Sequence, residues 1–149
     1  MIKDSNEYLD KLILPPSLYR EIEQKVVEMF LRNNVHYVPI DPFEIAQKEG
    51  YELIPFSKLR KSLKQTVKSE EYDGMSFHYT PRRTYIIFYD DSQSYSRQRF
   101  TIFHELGHID MGHKEESDLA NKIANHFAEY AIAPYPLIAK YGCKSTSDL

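Results

Sequence analysis

His104-Glu105-Leu106-Gly107-His108 sets two imidazoles and a carboxylate within five residues. On a helix, positions four apart lie about 40° apart, so His104 and His108 share one side, and Glu105 flanks it about 60° from His108. Two neutral imidazoles on one helical face are a zinc-binding pattern, and a catalytic zinc site takes three protein ligands and keeps one position for water. Zinc lowers the pKa of that water to about 7. A carboxylate beside it can take the proton and pass it to a leaving amine, and Glu105 is placed for that work. Gly107 gives room for a close approach, at some cost in helix propensity.

A third ligand is needed. His113 does not supply it through the H-x-x-G-x-x-H extension used by one class of zinc proteases, because that pattern requires histidine at Lys114. His113 reads instead as a cation at the helix C-terminus, favourable for the dipole. The expected source is the next helix, beginning at Ser117 and ending before Pro134. Asn121, Asp118, Asn125 and Glu129 fall within about 80° on that helix and form one polar wedge. Ala120, Ala124, Ala128 and Ala131 form a separate face suited to close helix packing.

The surrounding elements must position these groups. Ile102, Leu106 and Ile109 make an apolar stripe opposite the histidines, so the motif helix is wanted on two sides and belongs in the centre of the domain. Ser92 or Ser94 caps it, and it ends near Gly112. Before it, 75–79 and 83–89 are β-rich and separated by Thr80-Pro81-Arg82, the outline of a hairpin. Tyr51 to Phe56 reads as a strand. Asp41-Pro42 starts a helix that stops at Gly50. Ser17 reads as the cap of an amphipathic helix carrying Leu18, Ile22, Val26, Met29 and Phe30, ending near Arg32-Asn33-Asn34. Residues 57–73 are charged and fit either a loop or a helix. This order predicts an α+β fold with a small antiparallel sheet packed against helices.

The chain has 149 residues and a formal charge of -3, which gives no general attraction to nucleic acid. A single cysteine, Cys143, forms no internal disulfide and suits a reducing compartment. The first residues lack the apolar run of a signal peptide, and no stretch approaches a membrane span. A cytoplasmic protein is expected, folded as one domain over 1–149, with 1–16 an N-terminal extension and 134–149 a C-terminal tail.

"RFTIFHELGHIDMGH" followed by "IANHFAEYAIAP" resembles the ImmA/IrrE family of zinc-dependent peptidases, and Asp41 to Ala46 followed by Gly50 is similar to that family's first region. The resemblance spans roughly residues 18 to 138. It implies a minimal zincin-like domain with Zn2+ on His104 and His108 and with Glu105 as general base. It also implies an anti-repressor protease of phages and mobile elements, whose partner is a helix-turn-helix repressor. The family's third ligand is a glutamate four residues before the Asn of its "AN.FA" motif. That Asn is Asn125 here, so the ligand position is Asn121, an amide where the pattern has a carboxylate. Three outcomes stand open: Asn121 at the metal, Asp118 in its place, or no tight zinc site in a module that binds a repressor without cutting it. Asn125 is expected to brace a loop. An extended substrate would pair with a strand edge, for which 74–79 is the candidate. His78, Tyr79, His126 and Tyr130 are the side-chain types eligible to stabilise a transition state.

Overall fold

The computed structural model describes residues 13–69 and 73–134. The N-terminal extension up to residue 12 and the tail from 135 lie outside the described residues. Among the described residues, five α-helices and a three-stranded sheet make an α+β domain. Helix α1 spans Pro16–Arg32 and buries Ile22, Val26, Met29 and Phe30, the apolar positions of its helical period. Ser17 is not its cap. Pro15 holds that place, Pro16 opens the helix, and the Leu18 and Tyr19 amides donate to the Pro15 carbonyl at 2.9 and 3.2 Å. A proline at the first position has no N–H to satisfy and a preset φ, so the helix begins earlier than the serine suggests. Leu14, expected in the extension, is buried in the core.

Helix α2 is Pro42–Lys48, capped by Asp41, whose Oδ1 accepts from the Phe43 amide at 2.9 Å and the Glu44 amide at 3.4 Å. Strand β1 follows at Glu52–Pro55, and the ambiguous charged stretch contains helix α3, Lys61–Ser69. Strands β2 (Gly74–Tyr79) and β3 (Thr84–Tyr89) form the expected antiparallel hairpin, Gly74 opposite Tyr89 and Tyr79 opposite Thr84.

The sheet is mixed, not wholly antiparallel as expected. Its order is β1-β3-β2, with β1 running parallel to β3, Leu53 beside Ile87. The tight hairpin fixes β2 against β3. The long connection before β2 lets β1 take the other side of β3, where it runs in the same direction. Strand β2 is therefore an edge. Ser76 and Leu53 both pair with Ile87, so all three side chains share one sheet face. That face meets the helices, and Ile87 is fully buried in the core beneath them.

Helix α4, Tyr95–Asp110, is capped by Ser94, whose Oγ accepts from the Arg97 amide at 3.2 Å. Helix α5, Asp118–Ile132, is capped by Ser117, which accepts from the Ala120 amide at 3.0 Å. Ala120, Ala124, Ala128 and Ala131 are all buried, as their spacing predicts. The C-terminus of α4 is tied to α1 and α2. Arg32 Nη2 reaches Asp110 Oδ2 at 3.3 Å and Glu49 Oε1 at 2.6 Å, and Asn33 Nδ2 donates to the same Glu49 oxygen at 2.8 Å. No helix among the described residues is long and apolar enough to cross a membrane.

Gly74 sets the approach of β2 to α4. A Cβ on Gly74 would lie 2.5 Å from Thr101 Cγ2 and 2.8 Å from the Phe88 carbonyl oxygen. The first residue of β2 thus lies directly against α4, and no larger residue fits without moving the strand. Gly74→Ala is expected to destabilise the fold by about 1–3 kcal/mol through overpacking. Urea unfolding should show a lowered midpoint at unchanged slope. An unchanged midpoint would show that β2 does not rest on Thr101.

Candidate metal centre

From Thr101 to His108 helix α4 is buried almost all round, while its first turn is exposed. Ile102 and Phe103 are fully covered, Leu106 nearly so, and the polar Glu105 and His108 are only 3% and 6% exposed. A glutamate and a histidine this deep must be held by specific partners. His104 Nε2 and His108 Nε2 lie 3.0 Å apart, and the Asn121 side-chain oxygen lies 3.1 Å from His108 Nε2. Two helices therefore bring three donor atoms to one point. Asp118 does not join them. It is the first residue of α5, exposed, and it makes none of these contacts.

Each histidine is held from its far side. His104 donates from Nδ1 to Asn125 Oδ1 at 2.8 Å, which fixes its proton on Nδ1 and leaves the Nε2 lone pair facing the convergence point. Asn125 thus braces the metal-type histidine and not the loop expected of it. His108 Nδ1 lies 2.9 Å from His113 Nδ1. This corrects the reading of His113 as a helix-end cation. Its ring faces another imidazole, and burial holds its pKa below the usual histidine value. Burial also lowers the pKa of His104. His108 is brought down to about 4 by burial and then by the two neighbouring rings. Both motif rings are neutral at neutral pH, the form that ligates a metal.

Burial pushes Glu105 up to about 7, against the pull of a short bond from Ser76, whose Oγ donates to Glu105 Oε2 at 2.6 Å. Strand β2 thereby fixes the glutamate, and the fixing residue belongs to the sheet edge expected to receive a substrate. An open cavity of about 350 Å³ adjoins the site. Phe100, Thr101, His104, Glu105, Asn121 and Asn125 line it, together with Gly74 and the paired Arg97 and Asp73. Glu116, from the connection between α4 and α5, lines this cavity and a smaller one beside His108 and His113. Of the groups eligible to stabilise a transition state, His126 turns to α1. Its ring is 4.6 Å from Tyr19, and its Nε2 is 3.5 Å from Glu23 Oε2.

The donors suit a tetrahedral ion in separation. Bonds of about 2.0–2.1 Å set such ligands about 3.3 Å apart, close to the spacings found. In chemistry the set is two imidazoles and one neutral amide oxygen. Among the described residues no three His, Cys, Asp or Glu side chains gather as a metal cluster. The arrangement fits zinc with a third donor weaker than a carboxylate.

Ser76, Asn125, His113 and Glu116 are the site residues whose parts the motif did not reveal. For Ser76 the signal was strand parity, since it lies on the helix-facing side of β2. For Asn125 it was membership of the Asn121 wedge.

Comparison with known proteins supports the same grouping. The family model described as IrrE N-terminal-like domain, of the M78 peptidases, matches residues 52–139, from β1 through α5. No curated protein and no solved structure matches. The matched region holds the hairpin, the HExxH helix and the helix that faces it, and the chain belongs to the IrrE N-terminal-like family of M78 peptidases.

Proposed function

We propose that this chain is a zinc-dependent metallopeptidase of one domain, working in the cytoplasm, which cuts a helix-turn-helix repressor. The observation that carries this reading is the meeting of His104 Nε2, His108 Nε2 and Asn121 Oδ1 beside the buried Glu105. His104, His108 and Asn121 would hold the zinc. When bound, zinc lowers the pKa of a water and polarises the peptide carbonyl. Asn125 keeps the His104 proton on Nδ1, so that its Nε2 offers a lone pair, and the His108 Nε2 does the same in the tautomer whose Nδ1 donates to His113 Nδ1. Ser76 holds Glu105 Oε2, leaving Oε1 to accept the water proton and return it to the leaving amine. The edge of β2 next to Ser76 receives the extended substrate through main-chain hydrogen bonds. A repressor as substrate is supported by the family, and the net charge of -3 leaves DNA binding to that partner.

A second reading, a repressor-binding module without catalysis, is favoured by one observation, the amide at Asn121. Metal content separates the two. Purified protein dialysed against zinc should keep one equivalent, and a chelator should remove metal and cleavage together, with zinc restoring both. Protein that holds no zinc after this treatment ends the peptidase reading and leaves the binding module.

A further inference from the structure

An asparagine at a metal position poses a problem that a glutamate does not. Its amide has an oxygen end that can ligate and an N–H end that repels a cation, and nothing in the side chain itself chooses between them. In this chain the choice is made from outside. Asn121 Nδ2 donates to Glu116 Oε2 at 3.5 Å, a long hydrogen bond, while Oδ1 of the same amide lies 3.1 Å from His108 Nε2. A carboxylate only accepts, so Glu116 is matched by the N–H end alone. Its backbone is fixed by the start of α5. Ser117, the next residue, caps the helix at the Ala120 amide, and the Ser117 carbonyl accepts from the Asn121 amide at 2.9 Å. Glu116 is thus held about one turn from Asn121 on the cavity side. Its charge reaches both His108 and Glu105.

We propose that Glu116 is a positioning residue that turns the Asn121 oxygen towards the metal and supplies the negative charge absent from the ligand itself. The proposal rests on the zinc reading above. It also divides the task of the family's glutamate between two residues: Asn121 gives the oxygen and Glu116 the charge.

Zinc affinity, measured on the full chain by competition with a chromophoric chelator, tests this without any cleavage assay. Glu116→Gln is expected to weaken zinc binding about 10–100-fold, the usual cost of losing a partner that orients a ligand. Glu116 is exposed, so the variant should keep the wild-type circular dichroism and melting temperature. In an Asn121→Glu background the ligand needs no orienting, and Glu116→Gln should leave affinity unchanged or raise it. Wild-type affinity in Glu116→Gln overturns the proposal. So does an equal loss in both backgrounds, which would show a diffuse charge effect, or full affinity in Asn121→Ala, which would show that the amide is no ligand. If only these variants fail while the wild type binds zinc, the peptidase reading survives. If the wild type binds none, both fall.

Discussion

On the proposed mechanism, Glu105→Gln is expected to lower the rate of repressor cleavage by about 10²–10⁴-fold, the range general acid–base groups contribute, and to leave zinc content at the wild-type level. The two side chains have the same shape, and the Ser76 hydroxyl that donates to Glu105 Oε2 at 2.6 Å can donate equally to an amide oxygen. Glutamine at this 3%-exposed position therefore keeps the packing of α4 against β2. What it loses is the ability to accept a proton at Oε1. The measurement pairs single-turnover cleavage of the purified repressor with metal analysis of the same samples. Loss of cleavage with zinc retained assigns the defect to the base. Cleavage at the wild-type rate would remove Glu105 from the chemistry and with it the proposed mechanism.

Phe127→Ala destabilises the domain by about 3–5 kcal/mol, the usual loss for a fully buried aromatic ring. That is a large share of the roughly 5–15 kcal/mol holding an ordinary domain together. The ring has no exposed surface and lies over Gly107, where an added Cβ would stand 3.0 Å from Phe127 Cβ and Cγ and 3.1 Å from Cδ1. The absent side chain in the middle of HExxH is the seat for this ring, and the pair fixes how closely α5 lies on α4. The histidines belong to α4 and Asn121 to α5, so the same contact sets how close the Asn121 oxygen comes to the two imidazoles. Urea unfolding followed by circular dichroism gives the stability, and zinc affinity should fall in parallel. A loss under about 1 kcal/mol would show that the helices are seated elsewhere.

The sequence made the elements and the motif readable because their signals are local. Asp41 before Pro42, the pair Ser92 and Ser94, of which Ser94 is the cap, and Ser117 each announced a helix start within three residues, and the alanine face of α5 stood out by spacing alone. The histidine pair and Glu105 were legible for the same reason. What escaped were contacts between elements. The parallel pairing of β1 depends on which side of β3 the chain takes after a long connection, and alternation along a strand carries no such information. Ser76 and Glu105 are bonded across the strand–helix gap, and His113 found a ring partner because the chain bends back after α4. At Pro15-Pro16 two local signals competed, and proline geometry prevailed over a serine cap.

The connection between α4 and α5 carries both His113 and Glu116, one against a histidine ring and the other against the Asn121 amide. The helices that carry His104, His108 and Asn121 are locked into packing, where most substitutions are expensive. On the proposed zinc reading, the residues of this connection that orient the ligands are therefore distinct from those that pack the core, apart from the Gly107–Phe127 contact, which serves both. Changes in this short connection would then alter metal affinity without remaking the core.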